Sequence, residues 1–391
     1  MIKALTAYTS EVDDVEAAVS EILEQLNTGR GLLKNSVGIL ACYADFIGSG
    51  VVRDICAALP FDVVGSTTLG NAVPGSKDRI MLSLMVLTSD DVSFSVGLTA
   101  PLTREEEEAL KFAYDEAASG SIHGKPALIL CFAPLLMNVS GDFFADSMSR
   151  ISGETPLFGM LSVDHNSDYH ESRVIHNGMA YADRCAFVLV NGDIEPRFFI
   201  GSLAMKMRFG RECVVTESQG NQLHTVNNIP VTDYLLSLGL KKNDDGTISG
   251  INAFPFIVDY NDGSATVVRS AFATTPEGYA VCGGNLPEGV TMTVGSLDAD
   301  DVLETTAEAV SSAISAKRPE CLIIFSCVGR YYTMGYDPMS EIEKIQSILD
   351  GTDIPYYVAY SGSELCPVSG PNSGNSTVNR NHNDTIVICR L

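Results

Sequence analysis

The stretch SVGILACYADFIGSGVVRDICAALPFDVVGSTTLG, residues 36–70, decides the fold. It begins with SVGILACY, a continuous apolar run that has the length of one buried strand. VVRDICAAL then places apolar residues at helical spacing, and Pro60 leads into a second apolar run that ends in small polar residues. The stretch therefore predicts a strand, a helix and a second strand, with the helix covering at least one face of a sheet.

The same order of elements occurs three times in the chain. The two later copies are PALILCF (126–132), residues 142–151 and PLFGMLSVD (156–164), followed by ECLIIFSC (320–327), DPMSEIEKIQSILD (337–350) and PYYVAYSGSE (355–364). Duplication is the economical explanation of this repetition. Further runs that alternate or cluster like strands, such as CAFVLV (185–190) and GVTMTVG (289–295), indicate mixed rather than purely parallel sheets. We therefore predict an α/β fold with an α+β tendency, in which layered mixed β-sheets are covered by helices.

A length of 391 residues exceeds what one ordinary hydrophobic core accommodates and indicates two domains. We predict a first domain over residues 1–213, with two strand-helix-strand repeats, and a second over residues 214–391, with the third repeat.

The composition indicates a globular protein that does not bind nucleic acid. Hydrophobic residues make up 45% of the chain, and the formal net charge of -24 repels phosphate backbones and anionic membrane surfaces. Most of the ten cysteines lie in apolar runs and none forms a CxxC pair, which is typical of thiols in a reducing compartment. The N-terminal segment has no apolar signal region, and no apolar run is long enough to span a bilayer. A cytoplasmic protein without membrane insertion is expected.

The standard motifs for cofactors and metals are incomplete in this sequence. GSGVVR (48–53) lacks the third glycine of a dinucleotide-binding turn, and GSTTLGN (65–71) lacks the lysine of a phosphate-binding loop, so no cofactor is predicted. Asp164, His165 and His170 are the densest group of candidate metal ligands, but their spacing matches no established pattern. We expect no metal there, and interpret the segment as a polar loop that follows a strand.

The third repeat contains the most coherent candidate site. Ligands bind beyond the carboxyl ends of strands in open sheets. In this repeat, Arg330 follows the first strand and Glu364 follows the second. Arg330 could clamp a carboxylate and Glu364 could accept from an ammonium group, a combination that suits a zwitterion. An alternative is that these two side chains pair with each other and stabilise the fold. The other candidate ligand contacts near strand ends are Cys327, Gly329, His382, Asn383, Ser66 and Thr67.

Several segments resemble FIST proteins in their order and spacing. The C-terminal half contributes VTESQGNQLHTVNNIPVTDYLLSLGL (215–240), FSCVGR (325–330), PYYVAYSGSELCP (355–367) and NHNDTIVI (381–388). The N-terminal half contributes PFDVVGSTTLG (60–70), PLFGMLSVD (156–164) and VIHNGMA (174–180). Of the family pattern GEIGP, only Glu364 and Pro367 carry over, and GPNSGNSTVNRN (370–381) resembles a local insertion. The resemblance implies an intracellular sensor of amino acids or similar small compounds that acts through a separate signalling partner.

Two other functions remain open on the sequence alone. One is a metal-dependent or cysteine-based enzyme that acts on a small acid, although neither a GxSxG motif nor a neighbouring histidine accompanies Cys282 or Cys327. The other is a structural scaffold, which would be favoured if Arg330 and Glu364 faced packed protein. The interpretation we prefer is a sensor that binds a small polar metabolite and has no catalytic activity.

Overall fold

Three copies of one arrangement of strands and helices make up most of the molecule. The computed structural model describes residues 1–120, 124–136, 139–153, 155–166, 168–203, 208–315, 318–369 and 378–391. Residues 370–377 of the predicted insertion lie outside the described residues. We call the three copies modules 1, 2 and 3, and they occupy residues 1–89, 93–191 and 197–390.

Modules 1 and 2 are continuous in sequence. Module 1 consists of β1 (Lys3–Thr9), α1 (Val15–Leu26), α2 (Thr28–Gly31), β2 (Asn35–Cys42), α3 (Asp45–Gly48), α4 (Val51–Ala58), β3 (Val63–Thr67), β4 (Asn71–Val73), β5 (Ser76–Asp78) and β6 (Leu82–Ser89). Module 2 consists of β7 (Ser93–Leu98), α5 (Glu107–Ser119), β8 (Leu128–Ala133), α6 (Gly141–Ser152), β9 (Leu157–Leu161), β10 (Val174–His176), β11 (Met179–Tyr181) and β12 (Ala186–Asn191).

Module 3 is interrupted after its first strand, β13 (Arg197–Gly201), by a segment that forms a separate sheet. This inserted sheet consists of β14 (Arg208–Gln219), β15 (Gln222–Val226), β16 (Ile229–Pro230), α7 (Val231–Ser237), a 3-10 turn (Ile251–Ala253), β17 (Phe256–Asp259), β18 (Val267–Arg269), β19 (Ala271–Thr274), β20 (Ala280–Cys282) and β21 (Thr291–Gly295). Module 3 resumes with α8 (Ala299–Ile314), β22 (Leu322–Cys327), α9 (Val328–Thr333), α10 (Ser340–Leu349), β23 (Tyr356–Ser361), β24 (Glu364–Val368), β25 (Val378–His382) and β26 (Ile386–Arg390).

Each module donates a hairpin to the sheet of another module. The three sheets have the strand orders β1-β6-β2-β3-β10-β11, β7-β12-β8-β9-β24-β25 and β13-β26-β22-β23-β4-β5. In each sheet the two strands that flank the helix are parallel, and the other pairings described are antiparallel. The hairpin of module 1 extends the sheet of module 3, that of module 2 extends module 1, and that of module 3 extends module 2. In each sheet, a hairpin from a different module therefore covers the open edge of the second strand of the parallel pair.

The three sheets enclose one shared hydrophobic core. Ile39 of module 1, Phe158 of module 2 and Phe325 of module 3 all belong to it, and the rings of Phe158 and Phe325 stack with centroids 5.2 Å apart. The opposite faces of the same strands pack on helices, as Leu40 does with Ile22 of α1 and Ile55 of α4. Burial on both faces explains why β2, β8 and β22 are continuous apolar runs.

The predicted fold class is confirmed, since the sheets are mixed and the strand-helix-strand unit recurs three times with one topology. The inserted sheet has a second core of its own, centred on residues such as Leu223, Leu235 and Phe256. The boundary predicted between residues 213 and 214 falls inside β14.

No helix in the described part of the chain has both the length and the apolar character required to cross a membrane.

Gly65 and Gly159 provide a test of the repeated parallel pair. In register, Gly65 lies beside Leu40 and Gly159 beside Cys131, and a Cβ at either glycine would overlap the neighbouring carbonyl oxygen. We expect Gly65→Ala and Gly159→Ala each to lower the free energy of unfolding by about 3 kcal/mol or more, because backbone must move. Urea denaturation measures this change.

Gly48→Ala is the matched control for this experiment, because no heavy atom lies within 4 Å of a Cβ built there. Its effect should stay within about 1 kcal/mol. Equal stabilities of the Gly48 and Gly65 variants would contradict the close strand approach.

Candidate functional site

The structure brings the three C-terminal motif segments together at the junction of modules 2 and 3. The backbone N–H of Cys327 donates to the carbonyl of Thr385 at 2.9 Å, which joins FSCVGR to NHND. Glu364 faces His382 across the antiparallel pair β24 and β25, which joins SGSE to the same segment. The Ser361 hydroxyl completes the connection by donating to the carbonyl of Ser326 at 3.2 Å.

Arg330 lies in this region but is fully buried in an ion pair with Glu341 of α10. Its Nε is 2.8 Å from Glu341 Oε1, and its Nη2 donates to the carbonyl of Val302 and to the hydroxyls of Thr305 and Thr306. Thr306 also donates to Glu341 at 2.7 Å. The alternative in which Arg330 pairs with Glu364 is therefore wrong. Arg330 instead fastens α9 to α8 and α10, because a buried guanidinium requires a carboxylate and several acceptors.

Glu364 and Asp384 are two buried acids without a direct cation partner among the described contacts. Glu364 accepts hydrogen bonds from Ser361 and, at 2.8 Å, from Thr385. Asp384 accepts from Ser270 of the inserted sheet at 2.8 Å. Burial raises the pKa of Glu364 well above its ordinary value and the pKa of Asp384 to about 6. Glu364 is thus enclosed and held towards its neutral form, so it does not offer an exposed carboxylate to an ammonium group.

Cys327 is the last residue of β22, and Gly329 lies in the first turn of α9. Burial raises the pKa of the Cys327 thiol well above its ordinary value, with Glu364 and Asp384 as further causes. A Cβ on Gly329 would overlap Asp384 Oδ1, so a larger residue there would displace that carboxylate. All ten cysteines are buried, and burial likewise raises the pKa of Cys282 to about 12. These environments disfavour the thiolate form that a nucleophilic cysteine needs.

His382 is the last residue of the hairpin strand β25, and Asn383 directly follows it. Burial lowers the pKa of His382 to about 3, so its imidazole is neutral at physiological pH. Its Nε2 lies 3.0 Å from the carbonyl of Cys366, which assigns the proton to Nε2 and leaves Nδ1 as an acceptor. Asn383 donates to the Ser363 hydroxyl at 3.2 Å, and its Oδ1 has no partner within the described part of the structure.

A surface cavity of about 760 Å³, which we call the groove, adjoins His382 and Thr385. It runs between β13 and β18, which are edge strands of two different sheets. Its lining consists of residues 195–200, 202, 265, 266, 268, 367–369, 382 and 385. Because Thr385 donates to Glu364, the groove lies one hydrogen bond from that buried acid. The volume is that of a typical small-molecule site.

The sequence interpretation missed Arg269 and Asp142, which join the inserted sheet to module 2. Arg269 is fully buried, and its Nη2 lies 2.7 Å from Asp142 Oδ1. Its Nη1 donates to the carbonyl of Asn381, and Tyr260 accepts from the same guanidinium. The single signal in the sequence was an arginine within the apolar run ATVVRSAFA. Since Ser270 next to it bonds Asp384, this junction fixes β18 beside the groove.

Ser66 and Thr67, predicted as ligand contacts, are fully buried. The Ser66 hydroxyl lies 3.4 Å from the sulfur of Met160, and the Thr67 hydroxyl accepts from the N–H of Arg173 at 2.8 Å. Thr67 thus orders the chain that enters β10.

The candidate metal ligands make separate contacts. His170 bonds the exposed Asp168 at 2.7 Å, whereas the ring of His165 stacks on Tyr43 with centroids 4.5 Å apart. Asp164 Oδ1 accepts from the N–H of Asn166 at 2.5 Å. In the part of the chain that the structure describes, no three His, Cys, Asp or Glu side chains are grouped closely enough to hold a metal ion.

Comparison with known proteins identifies two family domains that cover most of the chain. The FIST N domain matches residues 36–229, and the FIST C domain matches residues 230–367. No curated protein matches the sequence. Among solved structures, the chain is similar to a cyanuric acid hydrolase described as an innovation by structural concatenation, at 10% identity and a TM-score of 0.37, covering 100% of this chain and 99% of that one. It is also similar to the cyanuric acid hydrolase of A. caulinodans, at 11% identity and a TM-score of 0.36, covering 99% of both chains. Likenesses at these TM-scores carry no argument about activity.

The buried pair of Arg330 and Glu341 should be essential for stability. We expect Arg330→Ala to cost about 3 to 5 kcal/mol of unfolding free energy, because it leaves Glu341 buried without its cation. Denaturant titration measures the loss.

Glu343→Ala, on the same helix, removes the exposed partner of Lys77 and is the control for this pair. It should change the unfolding free energy by at most about 1 kcal/mol. A stable Arg330→Ala protein would show that the pair is dispensable and would reopen Arg330 as a ligand contact.

Proposed function

The chain belongs to the FIST family, and from that premise we propose that it is a sensory protein that binds a small polar metabolite in the groove. FIST domains are generally associated with small-ligand sensing in signalling proteins. The ligand is an amino acid or a small organic acid, and the signal passes to a separate partner protein.

One observation carries the proposal: the family segments converge beside the groove that contains His382 and Thr385. The neutral His382 supplies an acceptor at Nδ1, which suits a hydroxyl or ammonium donor on the ligand. Apolar neighbours in the groove, including Phe199 and Val268, exclude water from one side of a bound molecule. A few polar groups on an apolar wall are typical of small-molecule sites.

The rim of the groove offers both charges that a zwitterion requires. Arg197 and Glu195 line it and form an exposed ion pair with atoms 4.0 Å apart. Such pairs contribute little to stability, so a ligand can replace either partner at small cost. An arginine can hold a carboxylate through two parallel hydrogen bonds. These groups take the roles that the sequence interpretation gave to Arg330 and Glu364.

The proposed role is binding without catalysis. The raised thiol pKa values of Cys282 and Cys327 support it, since they disfavour a cysteine nucleophile. The ten buried cysteines are consistent with a reducing compartment, and we place the protein in the cytoplasm. The excess of acidic residues favours a protein partner over nucleic acid.

Thermal shift with amino acids and small organic acids tests the proposal. A ligand at a hundred times its dissociation constant should stabilise the protein by about 2.7 kcal/mol, which raises the melting temperature. Thr266→Trp places a large side chain at an exposed position in the groove and should abolish the shift without altering the core.

Leu33→Trp is the matched control, because Leu33 is similarly exposed and lines a different cavity, of about 600 Å³. This variant should respond to the ligand as the wild type does. A ligand that stabilises the wild type and Thr266→Trp equally would place its site elsewhere.

A further inference from the structure

A second cluster of side chains, separate from the groove, lies beyond the carboxyl ends of β2, β9 and β22. We call it the tyrosine cluster and define it by Tyr43, Asp164, His165, Tyr169 and Tyr332. Tyr43 directly follows β2, and Asp164 follows β9. Tyr332 lies on α9, which follows β22, so all three modules contribute residues to the cluster. Nothing in the proposed metabolite site requires these side chains.

Asp164 is a buried carboxylate in which only one of the two oxygens has a hydrogen-bond donor among the described residues. Its exposed fraction is 0%, and Oδ1 accepts from the N–H of Asn166. Oδ2 has no hydrogen-bond partner within the described part of the chain, and the same is true of the neighbouring His165 Nδ1. A buried acceptor without a donor is costly, so such an atom in a folded protein indicates a place for a water, an ion or another donor group.

The surroundings of Asp164 favour a positive charge. Glu171 Oε2 lies 3.9 Å from His165 Nε2, and accepts from the amide of Asn166. Burial raises the pKa of Tyr43, and the carboxylates of Asp45 and Glu171 raise it further, while the Arg79 guanidinium lowers it. Of the charged groups that act on Tyr43, three are carboxylates, those of Asp45, Glu171 and Asp164, and one is the guanidinium of Arg79. A charge imbalance of this sign attracts cations.

Aromatic rings supply the remaining part of a cation site. The ring of Tyr43 stacks on His165, and Tyr169 packs against the buried cluster that includes Val163 and Tyr331, the sequence neighbours of Asp164 and Tyr332. Asp164 directly precedes His165, whose ring stacks on Tyr43, and the N–H of Tyr169 donates to the carbonyl of Asn166 at 3.1 Å in the same loop. Faces of tyrosine rings attract ammonium groups within about 6 Å. The side chain of His165 is 27% exposed and Tyr332 is 52% exposed, so these two residues face solvent.

We propose that the tyrosine cluster is a second ligand site, which takes the ammonium group of a small amine against Asp164 and beside the rings of Tyr43 and Tyr169. The ammonium donates to Asp164 Oδ2, and the organic part of the amine contacts the aromatic rings. This site recognises positive charge, whereas the groove recognises a polar metabolite through His382 and its rim. The two sites are therefore separable by mutation.

The test is the melting temperature of the full chain with methylammonium chloride and with 1,4-diaminobutane, each compared with KCl and NaCl at equal ionic strength. The amines should raise the melting temperature of the wild type, and the inorganic salts should not. Asp164→Asn should weaken amine binding at least about tenfold by calorimetry, because it removes the charge but keeps an acceptor for the Asn166 N–H. Without amine, this variant should melt at or above the wild-type temperature.

Asp168→Asn is the matched control, because Asp168 is an exposed carboxylate in the same loop. It should retain wild-type amine binding. Tyr43→Leu provides a second variant in case Asp164→Asn does not fold, and should weaken binding by about 2-fold to 30-fold. The proposal is overturned if neither amine stabilises the wild type, if KCl does so equally, or if both Asp164→Asn and Tyr43→Leu bind amine normally.

Discussion

The closing of open strand edges is the constraint on which the rest of the structure depends. Each module builds a parallel pair of strands, and its second strand would leave a row of unpaired backbone groups. A hairpin from another module pairs with that edge, so no module completes its sheet alone. The same exchange carries Glu364 of module 3 into contact with Met160 of module 2. The candidate site thus exists because the modules interlock.

A second set of buried polar contacts positions the inserted sheet on this body. Arg269 would be very unfavourable in the interior without Asp142 and the carbonyl of Asn381, and it obtains both only when β18 lies against module 2. Gly284 permits this approach, since a Cβ there would crowd Asp142 and Arg269. The groove is bounded by β18 on one side and β13 on the other. Its shape therefore depends on an ionic contact that the inserted sheet cannot make by itself.

Local patterns predicted the repeated unit but not its interlocking. Continuous apolar runs such as LILCFA and LIIFSC identify buried strands, and their recurrence identifies the modules. Strand exchange between modules produces no local sequence pattern, because β4, β10 and β24 have the sequences of ordinary short strands whichever sheet they join. Arg330 shows why the site could not be predicted from local patterns. An arginine after a strand suggests a residue that binds a ligand carboxylate, whereas its actual partner, Glu341, lies on the next helix. The groove could not be predicted from the sequence either, because it is formed by edge strands that are far apart in sequence.

Hydrogen–deuterium exchange on the full chain, with and without the metabolite that stabilises it most, tests the central claim most directly. Ligand bound in the groove should slow exchange at Arg197–Gly201, Val267–Arg269 and residues 382–385, because these backbone segments border the bound molecule. Exchange in the central strands β2, β8 and β22 should be slow in both states, since they form the shared core. Slowed exchange confined to other segments, with β13 and β18 unchanged, would contradict the account.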